Sequence, residues 1–83
     1  MAQPIITMYV REDCSDVAMV RELLKDRGLT WTEIDIDTDR DGLAKVEEWN
    51  GGRSPTPTMW IGDSMLVEPG SQETDAVLRG LKK

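Results

Sequence analysis

Apolar positions along this chain fall into short clusters whose spacing changes from one cluster to the next. Ile5-Ile6-Thr7-Met8-Tyr9-Val10 is β-rich and nearly continuous, which predicts a strand over residues 4–10 covered on both faces. Val17, Met19, Val20, Leu23 and Leu24 then recur near helical spacing and predict a helix over 15–27. Lys25 and Arg27 stand in its last turn and Gly28 ends it. Trp31-Thr32-Glu33-Ile34-Asp35-Ile36 alternates and predicts a second strand. A polar turn from Asp37 to Asp41 leads into a second helix over about 41–50, carrying Leu43, Val46 and Trp49. Asn50-Gly51-Gly52 stops it. Residues 57–61 and 64–67 flank Gly62-Asp63, the signature of a tight hairpin. Pro69-Gly70-Ser71 opens a last helix over 71–81, with Ala76, Val77, Leu78 and Leu81 expected inward.

The order is βαβαββα. A helix joins the first two strands, so they should run parallel with a right-handed crossover, and the last two form a hairpin. One four-stranded mixed sheet of α/β class follows, with helices on both faces.

Composition narrows the picture. The 83 residues form one domain, and 39% are apolar. There is no Phe, so three Trp, one Tyr and the aliphatic residues must fill the core. A net charge of -6 argues against nucleic acid as a partner, because no basic face exists to neutralise phosphates. No apolar stretch reaches membrane-spanning length, and no signal-peptide pattern opens the chain. A single cysteine allows no intrachain disulfide, so the expected location is cytoplasmic. The expected state is a monomer. Without His, one chain offers no thiolate or imidazole cage, and no metal site is expected.

That single cysteine, Cys14, falls between the first strand and the first helix. A thiol there faces the exposed amides of a helix N-terminus, which favour a thiolate by about 0.3–1 kcal/mol at an exposed site. Arg11 adds positive charge three residues earlier, while Glu12, Asp13 and Asp16 oppose it. One like charge at roughly 8 Å costs on the order of 0.5–2 kcal/mol. Asp13 and Asp16 also read as capping residues of the helix, one at its N-cap and one in its first turn.

Several segments together resemble the glutaredoxins, and among them the mycoredoxin branch. They are Met8-Tyr9-Val10-Arg11-Glu12-Asp13-Cys14, Glu33-Ile34-Asp35-Ile36-Asp37, Asn50-Gly51-Gly52-Arg53-Ser54-Pro55-Thr56-Pro57-Thr58 and Leu66-Val67-Glu68-Pro69-Gly70. The resemblance spans nearly the whole chain. It implies a thioredoxin-like fold, with Cys14 as the catalytic nucleophile. It further implies that Pro57 is a cis-proline beside the thiol and that Thr56 offers its backbone to a bound thiol substrate. Arg11, Gly70 and Ser71 would complete the substrate site, the last two at a helix start suited to a carboxylate. The implied co-substrate is a small thiol, glutathione or mycothiol, with no tightly bound cofactor.

The active-site run departs from the family's two-cysteine form. It reads Cys14-Ser15-Asp16-Val17, and Val17 stands where a resolving thiol would be. It is not the Cys-Gly-Phe-Ser form of cluster-carrying members either. Two readings follow. One is a monothiol oxidoreductase acting on mixed disulfides of a small thiol. The other is a catalytically weak or inactive thioredoxin-fold module that binds a protein client or peptide beside the cis-proline.

Overall fold

The computed structural model describes residues 3–80. The elements are β1 (Ile6–Val10), α1 (Ser15–Asp26), β2 (Thr32–Asp35), α2 (Arg40–Trp49), β3 (Thr58–Ile61), β4 (Ser64–Val67) and α3 (Ser71–Gly80). They build one four-stranded sheet in the order β2-β1-β3-β4. β1 pairs parallel with β2, Thr7 opposite Thr32, and antiparallel with β3, Met8 opposite Met59. β3 and β4 form the hairpin, with Ile61 opposite Ser64. Gly62 sits at its first central position with φ of +59°, the positive value that the tight primed turns favour. This is the thioredoxin-like α/β fold expected from the element order.

The alternation of β1 sorts the core into two layers. Ile6, Met8 and Val10 meet Val17, Val20 and Leu24 of α1 and Leu78 of α3. Met59, Ile61 and Leu66 join them from the hairpin. On the opposite face, Tyr9, Ile36 and Val46 of α2 form a smaller layer with Trp49 and Trp60 packed against it. The ring of Trp49 stands edge-on to Tyr9 at 5.3 Å and to Trp60 at 5.6 Å, the T-shaped arrangement that aromatic quadrupoles favour. Met8, Leu24, Met59 and Ile61 are fully enclosed. Each contributes about 1.5–3 kcal/mol by leaving water.

The helix ends follow local chemistry. Gly28, at φ of +68°, closes α1: its N–H reaches Lys25 O at 2.9 Å and the N–H of Leu29 reaches Leu24 O at 3.0 Å. Asp39 caps α2 by accepting from Gly42 N at 2.8 Å.

Some expectations shift. β1 begins at Ile6, and Ile5 is 81% exposed. β2 is an edge strand of four residues, with Glu33 and Asp35 among them, and charge of this kind blunts an edge against further pairing. Met19 lies on the outer side of α1, 50% exposed. In α3, Ala76 is exposed rather than inward, and Thr74 is buried with Leu78. Thr74 can be enclosed because its hydroxyl donates to Gly70 O at 2.9 Å. Leu81, also expected inward, lies outside the described residues.

Candidate active site

β1 delivers the chain to the C-terminal end of the central strand. Asp13 then turns it with φ of +59°, a left-handed conformation that Asp tolerates better than most residues. Cys14, extended at φ -97° and ψ 115°, becomes the N-cap of α1, and its carbonyl accepts the Ala18 N–H at 3.2 Å. This corrects the expectation that Asp13 caps the helix: its positive φ places it before the cap. Cys14 makes no side-chain cap bond. Asp16 does sit in the first turn, where its carboxylate meets the positive end of the helix.

The thiol is partly buried against the larger core layer. Its sulfur lies 3.5 Å from the backbone carbonyl of Thr56, to which the S–H donates. It lies equally 3.5 Å from Thr56 Oγ1, which donates to the sulfur. When the thiol ionises, the first interaction is lost and the second strengthens, because an O–H donor faces an anion. The Thr56–Pro57 peptide bond is cis, as the resemblance implies. The loop around it is fastened at both ends. Thr58 Oγ1 donates to Pro55 O at 2.9 Å, and Glu68 N donates to Pro57 O at 2.8 Å.

Arg11 is not aimed at the sulfur. Its Nη1 donates to Ser54 O at 2.6 Å, its Nη2 to Ser54 Oγ at 2.8 Å and its Nε to Asp37 Oδ1 at 3.1 Å. The guanidinium ties the end of β1 to the loop two residues before Thr56 and to the turn after β2. Asp37 is itself held, its N–H donating to Asp35 Oδ1 at 2.9 Å. Asp37 and Ser54 are partners of Arg11 that sequence reasoning missed. They lie 26 and 43 residues from Arg11, and no local pattern marks such a pair. Gly70 and Ser71 are partly buried at the start of α3, which follows the Glu68–Pro57 bond closely. Among the described residues neither hydrogen-bonds to Cys14 or Thr56. The structure thus brings Cys14, Thr56 and Pro57 together, fastens Arg11 to their loop, and leaves Gly70 and Ser71 at its margin.

A surface cleft of about 550 Å³ runs beside this end of the sheet, lined by Val10, Arg11, Glu12, Asp13, Arg21, Glu33 and Asp35. Arg21 grips Glu33 through Nε at 2.6 Å and Nη2 at 2.7 Å, and the Trp31 indole N–H adds a bond at 2.9 Å. The guanidinium hydrogen bonds hold the Glu33 carboxyl below its ordinary range, against the opposing effect of burial, and the same bond raises Arg21. No group of three or more metal-ligating side chains occurs among the described residues, and no described helix is long and apolar enough to cross a membrane.

The comparisons agree with this geometry. The glutaredoxin family model matches residues 6–66. Among solved structures, a thioredoxin-like protein superposes with a TM-score of 0.73 at 24% identity, over 89% of this chain and 97% of its own. Wheat glutaredoxin gives 0.68 at 23%, over 95% and 73%. The glutaredoxin of Brucella melitensis gives 0.69 at 23%, over 99% and 86%. No curated protein matches the chain. With the family model covering the strands, the thiol and the Thr56–Pro57 loop, the chain belongs to the glutaredoxin family, a family of thiol–disulfide oxidoreductases.

Proposed function

We propose that this protein is a monothiol oxidoreductase that reduces mixed disulfides between a small thiol and a protein or small-molecule partner, with the mycoredoxins as its nearest branch. The observation that carries this reading is the Cys14 sulfur 3.5 Å from both the carbonyl and the hydroxyl of Thr56. The Cys14 thiolate attacks the small-thiol sulfur of the mixed disulfide, and the partner leaves as its thiolate and takes a proton. A second small thiol then attacks the sulfur carried by Cys14, releasing the small-thiol disulfide and the free enzyme. The small thiol, glutathione or mycothiol, is the co-substrate, and no tightly bound cofactor is required.

An ordinary protein disulfide is a poor substrate on this reading. Attack on it leaves Cys14 bonded to the target, and Val17, fully buried in the core, supplies no second thiol to resolve the adduct. A monomer acting in the cytoplasm completes the proposal.

The test is turnover of peptide mixed disulfides of glutathione and of mycothiol. Activity that is abolished by Cys14→Ser supports the reading, and Val17→Cys should add activity on protein disulfides. Rates no higher than the uncatalysed exchange with both substrates overturn it. The binding-module reading then takes its place, favoured by the exposed Glu12, Asp13 and Asp16 around the thiol.

A further inference from the structure

The two edges of the sheet differ in charge. β2 carries Glu33 and Asp35, whereas β4, Ser64-Met65-Leu66-Val67, carries none. The register shows which backbone groups of β4 are free. Ile61 stands opposite Ser64 across the turn, and Glu68 N donates to Pro57 O at 2.8 Å. Bonded and unbonded pairs alternate in an antiparallel ladder, so the bonded ones fall at 61/64, 59/66 and 57/68. Met65 and Val67 therefore turn their N–H and C=O groups away from β3, where they meet no partner among the described residues. Their side chains share the face of Trp60 and join neither core layer, and Val67 is 42% exposed.

Charge decides what can approach this edge. From Ser54 to Leu78 the chain has four acids, Asp63, Glu68, Glu73 and Asp75, and no Lys or Arg. Arg53, exposed and in no ion pair, precedes this run. Asp75 is taken by Arg27 and Arg79. Asp63 and Glu68 stand immediately before and after β4, both exposed and in no ion pair among the described residues. An uncharged strand with an acid at each end suits an extended segment with a cation at each end. The edge also leads to the thiol. Val67 stands opposite Thr58, two residues after Thr56, whose carbonyl lies 3.5 Å from the Cys14 sulfur. A strand added to β4 lies two strand spacings, about 9.5 Å, from the line of β3, which about three extended residues span.

Resting on the mixed-disulfide reading, we propose that β4 is the docking edge for the protein client: an extended client segment with Lys or Arg at its ends adds antiparallel to Met65 and Val67. β4 is antiparallel to β3, and β3 to β1, so β4 ends on the side of the sheet where Cys14 stands. An antiparallel client strand begins there, and the cysteine carrying the small thiol lies about three to five residues before it. Main-chain hydrogen bonds supply the affinity, and the end charges supply the selectivity.

The experiment titrates the isotope-labelled full chain by NMR with a cysteine-free peptide of alternating Val and Thr, Lys at both ends. The Met65 and Val67 amides should shift and their hydrogen exchange should slow. A Glu-ended peptide should bind at least about fivefold more weakly, with the gap narrowing in raised salt. Val67→Pro removes one outward N–H without touching the β3 ladder and should weaken binding about 2- to 10-fold. Val67→Lys, at an exposed position, should narrow the gap between the two peptides. No binding at about 1 mM peptide, equal affinity for both peptides, shifts centred on β2, or binding that both variants leave unchanged overturns the proposal. Shifts of the two amides that grow with protein concentration alone assign the edge to a second copy and also overturn it. Turnover separates this proposal from the reading beneath it. Mixed disulfides of glutathione and of mycothiol are made on two peptides, with the cysteine about four residues before the Val-Thr segment in one and after it in the other. A higher kcat/KM for the first supports the docking edge, and equal values keep the oxidoreductase and overturn the docking. Edge binding without turnover of either peptide keeps the docking edge and overturns the mixed-disulfide reading.

Discussion

Replacing Arg11 by Ala tests whether the guanidinium is the clasp of the Thr56 loop. Two of its hydrogen bonds reach Ser54 in a partly buried setting, at 2.6 and 2.8 Å, and the third reaches the more exposed Asp37. Hydrogen bonds from a charged donor contribute about 1.5–3 kcal/mol each when sheltered. The Arg11 side chain is 34% exposed, so water replaces part of what is lost, and the Asp37 pair adds only about 0.2–1 kcal/mol. The expected loss for Arg11→Ala is about 2–3 kcal/mol, which for a domain of this size lowers Tm by roughly 8–24 °C. Arg11→Lys keeps the charge but only one arm of the fork, and should lose about half as much. Urea unfolding followed by tryptophan fluorescence reads this directly, since Trp49 and Trp60 pack on the core. A double-mutant cycle apportions the effect, and the Arg11–Ser54 coupling should exceed the Arg11–Asp37 coupling. Arg11→Ala within about 0.5 kcal/mol of the parent, the range of ordinary surface changes, would refute the clasp.

Glu33→Gln should cost about 0.2–1 kcal/mol at neutral pH, because Glu33 and Arg21 are both partly exposed. The folded-state carboxyl is depressed, so its stabilisation is present above the unfolded value of about 4.3 and lost as pH falls through the folded one; melting curves of parent and variant should converge in acid, and a pH-independent gap would contradict the assignment. Gly42→Ala should lower Tm despite a helix-propensity gain of about 1 kcal/mol, since a Cβ there would stand 2.7 Å from Ile34 Cγ2; a rise in Tm would show that the helix can move away from the strand. Thr56→Val removes the O–H donor to the sulfur and should slow iodoacetamide alkylation of Cys14 about 2- to 10-fold at neutral pH, with Thr56→Ser restoring it; an unchanged rate would deny the hydroxyl any part in holding the thiolate. Neutralising Glu12, Asp13 and Asp16 together should speed the same alkylation, with raised salt reproducing part of the gain in the parent, and an unmoved rate would reduce these acids to capping and surface roles.

Local pattern alone specified a good deal of this molecule. The nearly continuous apolar run of β1 announced two covered faces, and Ile6, Met8 and Val10 do part from Tyr9 into separate layers. Gly28 and Gly62 marked a helix end and a hairpin turn because both positions need a positive φ, a property of single residues. The helix between β1 and β2 fixed their parallel pairing through chain connectivity. Cys14 was legible as the candidate nucleophile, since it is the one thiol and stands at a helix start.

What surrounds that thiol was decided by tertiary structure. Asp13 reads as a cap by composition, yet its left-handed turn hands the N-cap to Cys14. Ala76, expected inward, is exposed and Thr74 is enclosed instead, because α3 is oriented by Leu78 against the core and by a hydroxyl that satisfies itself on Gly70. Arg11 reads as a charge beside the thiol by its spacing of three. The fold instead carries Asp37 and Ser54 to it from 26 and 43 residues away, and their oxygens take its nitrogens. Sequence pattern registers interactions that repeat with the period of a strand or helix, or that a single residue imposes on its own backbone. The destination of a long flexible cation depends on which oxygens a completed sheet and its loops bring within about 3 Å, and that exists only once the chain has folded.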